Sequence, residues 1–178
     1  VLQLQHKGEV DMLEETYLKI ISAKTAELFA AATKVGAILS NADNKEKDAL
    51  EFYGRNLGLT FQIADDTLDY NSELKMFGKK IGQDFFEGKI TLPIILLFQK
   101  LQLDEKKVFN EVFKKEVRNK DDFEKIVLLI KKHNIINECY QKAQHYINLA
   151  SSSLTVFGDC KEKDILKSLT SFSLARNF

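Results

Sequence analysis

A chain of 178 residues with 44% hydrophobic and 29% charged side chains has an ordinary soluble balance and is long enough to bury a core as one domain. Its 26 basic and 26 acidic side chains cancel, so it lacks the basic excess of a nucleic-acid binder, and any charge chemistry must be local. Cys139 and Cys160 stand far apart with no zinc spacing and fit a reducing compartment. The longest apolar run, around Leu92–Phe98, is too short to cross a bilayer. Residues 1–15 carry Lys7, Glu9, Asp11, Glu14 and Glu15, unlike a signal peptide, and the expected location is cytoplasmic.

Apolar residues recur at three and four, β-branched alternation is scarce, and the expected class is all-α. Tyr17–Ser40 reads as a first helix, with Ile20, Ile21, Leu28, Ala32, Val35 and Leu39 as its stripe. Asn44–Tyr70 reads as a second, burying Leu50, Leu57, Phe61, Ala64 and Leu68. The stretch from Asn71 to Ile90 holds Gly78, Gly82 and Gly88 and is too irregular for a long helix. Pro93 suits the first turn of a helix over Leu92–Leu101. Residues 102–121, rich in Lys106, Lys107, Lys114, Lys115 and Glu116, read as a solvated helical surface. Asp121–His133, Asn134–Ser153 and Lys163–Ala175 complete the set, and no domain boundary or repeat interrupts it.

The segment FQIADDTLDY, residues 61–70, sets three aspartates among core-forming residues. At about 100° per residue, Gln62, Asp65, Asp66 and Asp69 gather on a face roughly 120° from the apolar stripe. Like charges one turn apart cost roughly 0.2–0.5 kcal/mol per pair. Convergence of Asp65 and Asp69 on a hard cation such as Mg2+ would offset that cost, and so would pairing with surface lysines. The loop FGKKIGQDFFEGKITLP, residues 77–93, favours the cation, because Lys79, Lys80 and Lys89 beside glycines are what a metal-bound diphosphate needs. Upstream, Lys24 and Thr25 in SAKTAELFAAA, followed by small residues, suit a helix lining a cavity.

Together FQIADDTLDY, GKKIGQD, EGKITLP and KTAELF, in their order and spacing, resemble the trans-isoprenyl diphosphate synthases, and the likeness runs the whole chain. The resemblance implies a bundle of long antiparallel helices around an apolar cavity, the isoprenoid synthase fold. It also implies Mg2+-dependent, head-to-tail condensation of isopentenyl diphosphate with an allylic diphosphate, in a homodimer. On it, Asp65, Asp66 and Asp69 are metal-binding residues, and Lys24, Lys79 and Lys89 contact the allylic diphosphate. Thr25 and Gln62 stabilise the cation formed beside them, Lys24 sharing this catalytic position.

The family's first aspartate-rich motif and its following arginines have no counterpart here, where the arginines are Arg55, Arg118 and Arg176 only. The expectation is therefore the C-terminal portion of a synthase, incomplete at its N-terminus and inactive alone. A non-catalytic partner subunit of a heteromeric synthase is the alternative. A helical domain whose acids and lysines are surface charge is the third reading, and it leaves the shared face of Gln62, Asp65 and Asp69 unexplained.

Overall fold

The computed structural model describes residues 10–71 and 81–175, which are helical and contain no strand. The helices are α1 (Glu14–Ile21), α2 (Glu27–Leu39), α3 (Asn44–Leu68), α4 (Gln83–Glu87) and α5 (Leu92–Lys100). They are followed by α6 (Leu103–Phe113), α7 (Lys120–Lys132), α8 (Ile135–Ser153) and α9 (Lys161–Ala175). A π turn, Ser22–Ala26, joins α1 to α2. Among the described residues no helix is long and apolar enough to cross a membrane. The chain divides into two compact units, Leu18–Ala64 with Tyr140–Phe178, and Val1–Tyr17 with Asp65–Cys139.

In the first of these units α2 and α3 run antiparallel and close together. Gly54 and Gly58 make the approach possible: a Cβ on Gly58 would lie 2.6 Å from the Ala26 Cα, and one on Gly54 would lie 2.5 Å from the Phe29 carbonyl oxygen. Thr33 donates its hydroxyl to the Leu50 carbonyl at 2.6 Å, tying the two backbones together. Asp43 and Glu46 exchange side chain-to-backbone bonds of 2.8 and 3.0 Å in a capping box that starts α3. Asn41, at φ 55, ends the preceding helix in the left-handed conformation that asparagine tolerates. Tyr53, Leu57, Ala150 and Leu154 form the core, with Phe29, Leu50, Phe157 and Leu166 packed on it.

The expected stripe of the first helix splits at the π turn. Ile20 and Ile21 are buried, whereas Leu28, Val35 and Leu39 are exposed at 74%, 50% and 78%. A π turn holds one residue more than an α turn, and each residue turns the helix by about 100°. Past Ser22–Ala26 the buried face therefore passes to Ala26, Ala30 and Ala37. Phe29 and Thr33 of α2 meet the glycines of α3, while Leu28, Val35 and Leu39 face outward.

In the other unit, α5 buries Leu92 through Leu97, with Pro93 in its first turn as expected. The charged 102–121 stretch proves only half solvated: α6 buries Phe109, Val112 and Phe113. Phe85 packs edge-on against Phe86 and Phe113 and lies 5.4 Å from Phe123. The Arg118 guanidinium lies over the Phe113 ring at 4.8 Å and donates to the carbonyls of Phe85 and Phe113.

Glu105 closes the start of α6 and also reaches α7. It accepts from the Gln102 N–H at 2.9 Å and the Lys132 ammonium at 2.7 Å, and lies 3.0 Å from the His133 ring nitrogen. The Lys132 ammonium first, then the Gln102 N–H, and His133 in support, hold its pKa at about 2 against an ordinary 4.5, although burial opposes them. A carboxylate whose folded pKa is depressed contributes stability above the unfolded value and loses it as pH falls through the folded one. Wild-type protein should therefore lose urea resistance between about pH 4.5 and 2 by a share that Glu105→Gln does not lose. Parallel pH profiles for the two proteins would remove Glu105 as the source.

Candidate active site

The acids of FQIADDTLDY are held from several directions. Tyr17, at 2% exposure, donates its hydroxyl to Asp66 Oδ2 at 2.8 Å, and Asp66 is itself buried. Burial, and then the Asp66 charge, push the Tyr17 hydroxyl well above its usual pKa, so it remains a donor. Asp69 is buried and accepts the N–H of Gln83 at 3.2 Å and of Asp84 at 2.8 Å. Its carboxylate thus takes the first-turn donors of α4, where a negative charge is favoured. The Asp69 carbonyl takes the Gly82 N–H at 2.9 Å. Asp65 is half-buried.

The short helix α4 lies between two left-handed glycines, Gly82 at φ 84 and Gly88 at φ 75. Only glycine takes these angles without strain, and the second turns Lys89 back so that its N–H reaches the Asp84 carbonyl at 2.9 Å. The Lys89 ammonium meets Asp84 at 2.9 Å and Glu87 at 2.7 Å. Burial works against that charge, but the two carboxylates outweigh it and hold the Lys89 pKa above the usual lysine value. Lys89 is therefore an ion-paired cation here. Asp84, its partner and the neighbour of Asp69, is a member that the sequence reading missed; the Gly-Gln-Asp step five residues before Lys89 was its signal.

In the unit containing Leu18–Ala64, the π turn carries Lys24 and Thr25. Thr25 is half-buried and donates its hydroxyl to Gln62 Oε1 at 2.8 Å, while Lys24 is exposed. The two residues to which the resemblance gives one role are thus joined by a hydrogen bond. Lys79 lies outside the described residues.

Asp65, Asp66 and Asp69 bring carboxylate oxygens together at one end of α3, a donor type that suits a hard divalent cation. Among the described residues no three His, Cys, Asp or Glu side chains gather as a ready-made metal cage. A cation here would take part of its shell from water or a phosphate, as magnesium usually does.

An all-α chain with a carboxylate-rich helix turn, a Thr–Gln pair and a glycine-flanked lysine loop belongs among the isoprenoid synthase folds. The polyprenyl synthetase family pattern matches residues 1–130, and the chain is a member of that family. It is similar to the geranylgeranyl diphosphate synthase of Methanosarcina mazei, 32% identical over 177 residues that span 99% of this chain and 53% of that protein. The octaprenyl diphosphate synthase of Escherichia coli is 45% identical over 95 residues, 53% of this chain and 29% of that one. The decaprenyl diphosphate synthase structure from Rhodobacter capsulatus superposes with a TM-score of 0.91 at 33% identity, covering 99% of this chain and 55% of that one. A polyprenyl synthase from Caulobacter crescentus, complexed with calcium and isoprenyl diphosphate, gives 0.93 at 35% identity, covering 99% and 54%. The chain spans about half the length of the Methanosarcina, Rhodobacter and Caulobacter relatives, each of which it matches over 99% of its own length.

Proposed function

We propose that this chain supplies the second aspartate-rich half of a polyprenyl diphosphate synthase, condensing isopentenyl diphosphate with an allylic diphosphate. The observation that carries the reading is the order imposed on the acids. Asp66 is fixed by Tyr17 and Asp69 by two backbone N–H groups, with half-buried Asp65 beside them. Carboxylates held this way keep their charge in place instead of turning to solvent.

Asp65, with Asp66 and Asp69, would hold Mg2+, and the calcium and isoprenyl diphosphate in the Caulobacter relative support a divalent cation beside a diphosphate. When bound, the cation neutralises charge on the diphosphate leaving group. Lys24 and Lys79 take further phosphate charge in this reading. Lys89 joins them by exchanging Asp84 and Glu87 for phosphate oxygens. Thr25 fixes the Gln62 amide so that the oxygens of both groups face the developing allylic cation, a preorganised electrostatic contribution. A homodimer in the cytoplasm completes the reading, and the exposed Leu28, Val35 and Leu39 of α2 are in keeping with a surface that another polypeptide covers.

The test is calorimetric titration of the chain with geranyl diphosphate. Binding should require Mg2+, vanish in EDTA, and weaken at least about tenfold (1.4 kcal/mol) in Asp65→Ala. No binding by the unaltered chain would sink the reading, and equal affinity in Asp65→Ala would remove Asp65 as a ligand.

A further inference from the structure

We infer that Tyr17 is a positioning residue for the acidic site: its hydroxyl orients Asp66 and through it sets the affinity of the Asp65–Asp66 turn for a divalent cation. This rests on the metal-binding role proposed above. Tyr17 is separated from Asp66 by 49 residues, yet its hydroxyl lies 2.8 Å from Oδ2, and both side chains are at most 5% exposed. A hydrogen bond from a buried hydroxyl narrows the rotations open to a buried carboxylate. It orients the Asp66 carboxylate, whose charge lies one residue along α3 from Asp65 and contributes to the field that a cation held there experiences.

Outer donors of this kind typically change metal affinity by about 10- to 100-fold when removed, although they touch no metal. A hydroxyl that served only to fill the core would change stability and leave the metal unaffected. Tyr53 provides that comparison within the same chain. It is 1% exposed and donates its hydroxyl to a backbone carbonyl, that of Leu166, at 2.8 Å.

The experiment measures Mn2+ binding to the full chain by the electron paramagnetic resonance signal of free Mn2+, with geranyl diphosphate present. Tyr17→Phe should weaken Mn2+ binding about tenfold or more, while Tyr53→Phe should lower the melting temperature in EDTA and leave Mn2+ affinity as in the wild type. Equal Mn2+ affinity in Tyr17→Phe and wild type overturns the proposal. Wild-type chain that binds no Mn2+ overturns the metal site itself, and this inference with it. Should Tyr17→Phe fail to fold, 3-fluorotyrosine at position 17 of the otherwise unaltered chain gives a second reading. Its fluorine resonance should shift on Mg2+ addition with the midpoint of Mg2+ binding; a resonance that stays in place overturns the role.

Discussion

Gly58→Ala is expected to lower folding stability by about 2–3 kcal/mol, the reverse of what alanine usually does in a helix. In a solvent-facing helical position the exchange stabilises, because alanine is favoured over glycine by about 0.8–1.0 kcal/mol. At position 58 the new methyl would lie 2.6 Å from the Ala26 Cα and 3.2 Å from the Ala26 and Phe29 Cβ atoms. The first of these is backbone, which cannot swing aside as a side-chain tip can. The helices must part, and the separation falls on Ala26, the last residue of the π turn that carries Thr25. Gly36, on α2, is the internal control, since a Cβ there would meet nothing within 4 Å. Gly36→Ala should gain about 0.5–1 kcal/mol while Gly58→Ala loses stability. Urea midpoints that move in the same direction for both would show that the close approach of α2 and α3 is not rigid.

Removing the Asp69 carboxylate should be of similar size. Asp69→Ala leaves the Gln83 and Asp84 N–H groups without their acceptor, and hydrogen bonds to a charged group are worth roughly 1.5–3 kcal/mol each. A total near 3 kcal/mol corresponds to about a hundredfold faster amide exchange at these two positions. Asp69→Asn keeps one carbonyl acceptor and should lose about half as much. Exchange rates at Gln83 and Asp84 that equal those of the wild type would mean that α4 holds its first turn by other means. The same pair of variants separates a clasp from a ligand. A carboxylate that only clasps α4 loses diphosphate binding in proportion to that exchange, whereas a cation ligand loses it fully in Asp69→Asn.

Much of this was legible in the sequence, because it depends on near neighbours. Pro93 marked the start of α5, the period of apolar residues marked α3 and α7 to α9, and the glycines at 82 and 88 marked the break. Helical geometry groups Gln62 with the aspartates and only the family resemblance gives it a role beside Thr25, to which it is hydrogen-bonded. What escaped depends on partners far along the chain. Nothing in DDTLD points to Tyr17, or to N–H groups 14 and 15 residues downstream, so the acids read as one open face although Asp66 and Asp69 are buried. Asp84 was passed over because a lone acid in a glycine-rich loop carries no period. The exposure of Leu28, Val35 and Leu39 was hidden for the opposite reason: their spacing continues the stripe of Ile20 and Ile21 without a break. A surplus residue in SAKTA shifts the face but leaves no mark on the pattern.

That surplus residue and the two glycines of α3 specify each other. Delete one residue from Ser22–Ala26, with Ile20 and Ile21 still seated, and α2 turns back by about 100°. The outward side chains Leu28 and Val35 would then swing toward the face now held by Ala30 and Ala37, where Gly54 and Gly58 leave room for a backbone and little else. The helix has one phase that its neighbour accepts. In a set of related sequences, a length change at this turn and a side chain gained at either glycine would therefore be a single event recorded in two places: an insertion or deletion in one helix read out as a permitted residue size in the other.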